Sequence, residues 1–269
     1  VGNTSMALIG AGSANTAIGH NAMTSTGTAA NNDATSNVAI GSNCLQGITE
    51  GDYNVGVGES ALYTLTTGYG NVAVGWYAGN TADTATVNAI DNVYVGKMSG
   101  RYMDDGQYNV AVGSRAMLGA STGNNAAFNT AVGQASLLSI TAGDYNVAVG
   151  SNSGDNITTG EGNVLMGYLA GDVASTTSNA VAIGREAYSD AAGSSGTVAI
   201  GAYALKMVTG AGNVGIGFDA LKNVVGGEAN IAIGYEAGEG FSVGESKNIA
   251  IGYESIALFD EGDAGGDVD

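Results

Sequence analysis

The chain has 269 residues, with 46 glycines, no proline and only 12% charged residues. A net charge of −18 opposes binding to nucleic acid and to anionic membranes, and a chain without proline is not collagen. Hydrophobic residues make up 44% of the chain, which excludes a disordered linker, and no apolar run is long enough for a membrane-spanning helix. Most of these residues are Ala and Val, which indicates thin, closely spaced layers rather than a bulky core.

Residues 1–14 precede the first clear repeat, and we expect them to form an N-terminal cap or connection. Residues 15–257 repeat one phrase: Asn, an aliphatic residue, a small residue, a second aliphatic residue and Gly, as in 71–75 and 230–234. The spacing is mostly 17 residues, with three longer steps of 22, 21 and 20 residues. The fourteen copies end on Gly19, Gly41, Gly58, Gly75, Gly96, Gly113, Gly133, Gly150, Gly167, Gly184, Gly201, Gly217, Gly234 and Gly252. A unit this short buries nothing alone, so the copies must stack into a continuous core.

The full unit reads N-V-A-V-G-x-x-A-L-x-x-V-T-x-G-x-x, and its first five positions predict a short strand and a corner. Positions 2 and 4 are β-branched and lie on one face, while position 3 is Ala or Gly except at Tyr94 and Leu165. The invariant Gly at position 5 fits a corner with positive φ. Position 1 is Asn except at Ala180 and Thr197, and stacked Asn amides can bond from rung to rung.

The rest of the unit predicts the inside of the coil. Position 8 is always small and includes Cys44, which we expect to be a buried side chain and not a nucleophile. Position 12 is mostly apolar, which predicts a second strand. The fold class is therefore all-β: a parallel β-roll or solenoid of about fourteen repeats, roughly 65–70 Å long if rungs are about 4.8 Å apart.

The long steps and the end of the chain lie outside this unit. The steps place extra residues in segments 24–36, 80–91 and 118–128, which we expect to leave the roll as solvated loops. These loops could form a collar that carries glycan or receptor contacts, although neutral drift in their length is an alternative. Residues 258–269 are predicted to be an acidic tail.

The phrase Asn-Val-Ala-Ile-Gly-x-x-Cys at 37–44 resembles the head repeats of trimeric autotransporter adhesins of the YadA type. The 17-residue spacing, with Thr-Thr-Gly before the next Asn at 66–68 and 158–160, is also similar to repeats of phage tail-fibre proteins. The resemblance implies a homotrimer of parallel β-rolls. The Ala and Gly positions would let three rolls approach closely, so we expect them near the three-fold axis.

Aromatic residues recur at two neighbouring positions and are the candidate surface-binding residues. An exposed aromatic row can pack on sugar rings, although the rings could instead pack on neighbouring rungs or on an adjacent chain and only stiffen the fibre. The candidates are Trp76, Tyr168, Phe218, Tyr235 and Tyr253 at position 6, with Tyr77 and Tyr203 at position 7.

No residue set supports catalysis, so we do not expect an enzyme. The only histidine, His20, occupies a variable position, and the carboxylates do not recur as a pair at a fixed register. No cofactor is expected. Calcium is a weak candidate at the acidic turns 51–54, 104–106 and 143–146, because the calcium-roll nonapeptide is missing and a solvated corner is the simpler interpretation.

These observations favour a structural or adhesive fibre segment, most of all a phage tail-fibre shaft that contributes to host-surface recognition. Its expected location is extracellular, on the virion. Its expected partners are copies of itself, a host glycan or receptor, and other fibre or virion proteins, with no nucleic acid and no membrane insertion. The alternative is the head domain of a trimeric adhesin on a bacterial surface. An ice-binding solenoid is a weaker alternative, because Thr occupies position 13 only in some rungs.

Overall fold

The structure is a computed structural model that describes Ser5 and residues 12–25, 33–80, 88–119, 124–172, 175–190, 195–241 and 243–256. Most of the expected cap at 1–14 and all of the expected tail at 258–269 lie outside these residues. So do 26–32, 81–87 and 120–123, which are the central parts of the three expected loops.

The repeat phrase forms one strand of three residues in each rung. All pairs of neighbouring strands are parallel, and the sheet order follows the chain order from first to last. The strands are β1 (Thr16–Ile18), β2 (Val38–Ile40), β3 (Val55–Val57), β4 (Val72–Val74), β5 (Val93–Val95), β6 (Val110–Val112), β7 (Thr130–Val132), β8 (Val147–Val149), β9 (Val164–Met166), β10 (Val181–Ile183), β11 (Val198–Ile200), β12 (Val214–Ile216), β13 (Ile231–Ile233) and β14 (Ile249–Ile251). The β-solenoid predicted from the sequence is confirmed. The rung register also holds across the longer steps, since Thr16 pairs with Val38 and Val72 with Val93.

The second strand that we predicted at position 12 is wrong for the described residues. After the corner the chain runs through turns, and outside β1–β14 only isolated bridges occur there, linking Tyr69, Ile90, Gln107 and Ala127. Residues at positions 7 and 9, such as Ser60 (φ 56°) and Leu62 (φ 50°), are left-handed, which interrupts an extended strand. Position 12 is still buried, as at Ile48 and Ile157, so its apolar character serves the core.

An asparagine ladder runs up the inside of the solenoid. The backbone N–H and Nδ2 of Asn54 both donate to Oδ1 of Asn37, at 2.8 and 3.1 Å, and Nδ2 also donates to the carbonyl of Gly68 at 2.8 Å. Asn71 repeats the pattern on Asn54, at 3.0 Å for both donors. Each fully buried amide thus satisfies its own polar atoms and those of its neighbour, which fixes the rung register.

The small residues of the strands face the interior of their own coil. The middle residue of every strand after β1 is buried, and a Cβ on Gly56 would lie 2.5 Å from Sγ of Cys44. The surface near position 3 is therefore position 8 of the same chain. Our expectation that the Ala and Gly positions lie near a three-fold axis is wrong, because these residues are closed off inside the coil.

The two large residues at position 3 are matched by glycine elsewhere in the core. A Cβ on Gly79 would lie 2.9 Å from Cδ2 of Tyr94, and one on Gly100 would lie 2.6 Å from Cγ of the same ring. Leu165 is enclosed in the same way by Gly154 and Gly171. Because most other rungs carry Leu or Met at this ninth position, an exchange of size between positions 3 and 9 keeps the core filled.

Candidate functional site

The outward face of the sheet is apolar along its whole length. The first and third residues of each strand point away from the coil, and none of them is buried. They are Val or Ile apart from Thr16, Thr130 and Met166. We call this surface the outer face. Monomeric soluble proteins rarely expose a continuous apolar patch of this extent, so the outer face is a candidate interaction surface.

Two columns of residues bound the outer face. The leading column is the residue directly before the Asn position of each rung, and the trailing column is the residue directly after the invariant Gly. The corner glycines that precede the trailing column have φ near +140°, as at Gly58, so the predicted positive φ is confirmed. Each corner also brings neighbouring rungs into close backbone contact, since a Cβ on Gly58 would lie 2.7 Å from the carbonyl carbon of Gly75.

The structure brings four of the seven candidate aromatic residues into one cluster, with three at the C-terminal end of the trailing column and Tyr203 beside them. Phe218, Tyr235 and Tyr253 stack with 5.2 Å between centroids and interplanar angles of 10–11°, and Tyr203 meets Phe218 edge-on at 5.9 Å. Trp76 and Tyr77 form a separate edge-on pair at 4.9 Å. Tyr168 lies three rungs from Phe218 and is half exposed.

A second aromatic stack lies in the leading column and was not predicted as a site from the sequence. Tyr108, Phe128 and Tyr145 are parallel within 15°, with centroid distances of 5.0 and 5.1 Å. All three have left-handed backbones and exposed side chains. The signal in the sequence is that each directly precedes the Asn position, but the 20-residue step from Tyr108 to Phe128 hides their common register.

Stacking limits how these rings can hold a ligand. The faces of Phe128 and Tyr235 are covered by stacked rings on both sides, so only their edges reach solvent. A sugar ring lies flat on a ring face, and such a face is open only at the ends of each stack. The stacks are therefore better suited to lateral packing against another surface.

Most of the basic side chains lie over aromatic rings. Lys97 lies over Trp76 and Arg101 over Tyr77, each 4.9 Å from the ring centroid. Around Tyr203 the distances are 4.5 Å for Arg185, 5.3 Å for Lys206 and 5.5 Å for Lys222. Five of the seven basic residues thus make cation–π contacts, which places most of the positive charge of this acidic chain against aromatic rings.

Two of the three acidic turns, at 51–54 and 143–146, have a structural role. Oδ1 of Asp52 accepts a hydrogen bond from the backbone N–H of Thr35 at 2.7 Å, and Asp144 does the same for Ala127 at 2.8 Å. Each carboxylate therefore links its own rung to the preceding rung by a hydrogen bond. Within the described ranges no group of three or more His, Cys, Asp or Glu side chains is arranged to hold a metal ion.

Cys44 is fully buried, as predicted. Burial raises the pKa of its thiol to about 12, so its reactive thiolate is scarce at neutral pH.

Among the described residues no helix is long and apolar enough to cross a membrane.

Neither the family models nor the curated proteins give a match to this chain.

One cluster of carboxylates makes folding pH-dependent. Partial burial, and then hydrogen bonding to and repulsion from Asp155, raise the pKa of Asp172 to about 7. Asp190 adds further repulsion, while the Asn156 amide donates to Asp172 and partly offsets these effects.

We expect Asp172→Asn to stabilise the protein at pH 8 but not at pH 4. A raised folded-state pKa gives stability that is fully present below the unfolded-state pKa and is lost as the pH rises through about 7. The asparagine variant avoids this loss. At pH 8 its free energy of unfolding should therefore exceed that of the wild type by on the order of 1 kcal/mol, a figure reduced for solvent screening of a partly exposed group. Urea unfolding at both pH values measures the difference, and an equal gain at pH 4 would contradict the proposed cause.

Proposed function

We propose that this chain is the shaft segment of an extracellular fibre, built from three parallel copies that bury their outer faces against one another. The outer face is the observation that carries the proposal. Two outward side chains, nearly all of them Val or Ile, recur on each of the fourteen rungs, so only a partner with the same axial repeat can cover this face along its whole length. A second copy of the chain has that repeat, and rotation about an axis parallel to the stack brings equal faces together.

The regularity of the stack supports a role as a shaft. Every pair of neighbouring strands keeps the same parallel register, and the asparagine ladder supports that register from inside the coil except at the rungs of Ala180 and Thr197. A solenoid whose rungs contact only their neighbours extends in one dimension, which suits a spacer that holds two other parts of a fibre apart.

The fibre that we propose is a phage tail fibre, in which the shaft projects a host-recognition surface. The head of a trimeric bacterial surface adhesin is the second candidate, since it would use the same stack. Gold-labelled antibodies against the segment would label thin projections on virus particles in the first case and the cell surface in the second. If they labelled neither structure, both candidates would be rejected.

Assembly through the outer face is tested by placing a charge on it. Val74 lies on this face at 37% exposure, and Val225 lies off the face at 38% exposure, so the two residues form a matched pair. We expect Val74→Asp to weaken assembly by at least about tenfold, because each copy would bury an unpaired carboxylate. Val225→Asp should leave assembly unchanged. Sedimentation equilibrium measures both, and equal behaviour of the two variants would contradict the proposal.

A further inference from the structure

The leading and trailing columns are complementary in that no described rung carries an aromatic side chain in both of them. Where the leading residue is aromatic, the trailing residue of the same rung is not. These leading and trailing pairs are Tyr53 with Glu59, Tyr108 with Ser114, Phe128 with Gln134, and Tyr145 with Ser151.

The reverse holds wherever the trailing residue is aromatic. There the leading residue is small or flexible, and glycine is the commonest. These leading and trailing pairs are Gly70 with Trp76, Gly162 with Tyr168, Gly212 with Phe218, Ala229 with Tyr235, and Lys247 with Tyr253. On the β5 rung the pair is Asp91 with Lys97, which carry opposite charges.

This complementarity has no function within one chain. The two residues of a pair, such as Tyr145 and Ser151, lie at opposite ends of a strand and are six residues apart, roughly 15–20 Å along an extended chain. Tyr145 stacks on Phe128 of its own column. A large residue at one edge of the outer face therefore leaves the other edge of the same chain unaffected.

We infer that the leading column of one copy packs against the trailing column of the next copy, on the same rung. This inference rests on the proposed function and specifies its interface. Rotation about an axis parallel to the stack places one edge of the outer face against the opposite edge of the neighbouring copy. A closed ring also keeps both edges at the same height, because any axial shift would turn the ring into an open helix.

Some other alignments oppose residues that do not fit, and the one-rung shift that opposes none is excluded because it would not close a ring. Moving the neighbour by one rung in one direction sets Tyr145 against Tyr168, both of them aromatic. An antiparallel pair with full overlap sets Phe128 against Tyr145 and Lys97 against Arg185, which are like charges. The same-rung parallel arrangement avoids these conflicts and pairs Asp91 with Lys97, which already lies over Trp76 of its own chain.

A pair of matched substitutions tests the inference. Ser151 and Ser42 are trailing residues of similar partial burial, but their rungs carry Tyr145 and Ser36 in the leading column. We expect Ser151→Trp to weaken assembly by at least about tenfold, because two large side chains would meet, while Ser42→Trp changes it less than about threefold. Adding Tyr145→Gly to Ser151→Trp should restore assembly, because the pair then matches Gly70 and Trp76 of the β4 rung.

The outcomes separate this inference from the proposed function. A monomeric wild-type chain would overturn both. A trimeric wild-type chain in which Ser151→Trp behaves like Ser42→Trp, or in which Tyr145→Gly restores nothing beyond its own effect as a single variant, would overturn the edge pairing alone.

If Ser151→Trp fails to fold, cross-linking of engineered cysteines tests whether the leading and trailing columns meet. With Cys44→Ala as background, a chain that carries both Tyr145→Cys and Ser151→Cys should cross-link into covalent trimers with a short bismaleimide. A chain with Tyr145→Cys alone should not cross-link to its copies. A trimer that showed no cross-link in the first case, or a cross-link in the second, would overturn the inference.

Discussion

Asn54→Asp is expected to destabilise the fold by about 3 kcal/mol or more. In the native ladder, Nδ2 of Asn54 donates to Oδ1 of Asn37 at 3.1 Å and to the carbonyl of Gly68 at 2.8 Å. An ionised aspartate has no donor, so it would place negative oxygen against both acceptors in a fully buried site. Urea unfolding followed by circular dichroism measures the loss.

The matched control is Asn223→Asp, because Asn223 is an exposed asparagine outside the ladder. Its stability should change by no more than about 0.5 kcal/mol. The Asn54→Asp loss should also shrink at acid pH, since a protonated carboxyl group regains one donor. Equal losses in the two variants would contradict the claim that the ladder holds the rung register.

Gly100→Ala is expected to destabilise the fold by about 3 kcal/mol, from overpacking and from a left-handed alanine together. The new Cβ would lie 2.6 Å from Cγ of Tyr94, a ring that is buried and bounded on its other side by Gly79. The ring therefore has no room to move away. Thermal or urea unfolding of the variant gives the size of the effect.

Gly196→Ala is the control for the backbone. Gly196 has φ +71° against +61° for Gly100, but nothing lies within 4 Å of its Cβ position, so only about 1 kcal/mol should be lost. In a Tyr94→Ala background, the stability lost through Gly100→Ala should fall to the same small value. If the loss stayed as large there, the exchange of size between positions 3 and 9 would not explain how the core accommodates Tyr94.

Much of the fold could be predicted from the sequence because each rung repeats the same physical constraints. The Asn position, the β-branched pair and the invariant Gly predicted one strand and one corner per rung, and the structure has them. The second strand could not be excluded from the sequence, because ordinary residues such as Leu62 adopt the left-handed conformation without a glycine to signal it. Backbone hydrogen bonds between coils, as from the N–H of Leu45 to the carbonyl of Ala61 at 3.0 Å, support that conformation.

The orientation of the strand was also ambiguous in the sequence. Ala and Gly at position 3 fit a close contact between chains as well as a close contact inside a coil. The packing of Gly56 against Cys44 shows that position 3 faces the inside of the coil. The Val and Ile residues at positions 2 and 4 therefore face outward. The candidate aromatic residues were predicted from the two positions that follow the invariant Gly, so the stack of Tyr108, Phe128 and Tyr145 and the complementarity of the two edges became visible only once the rungs were aligned in space.

The molar mass of the wild-type chain in solution is the most direct test of the outer face as an assembly surface. Light scattering coupled to size exclusion at micromolar concentration should give three times the chain mass of 26.4 kDa, in an elongated particle. A mass of 26.4 kDa across that concentration range would show that the outer face stays exposed to water, and the proposal of a three-chain fibre shaft would be wrong.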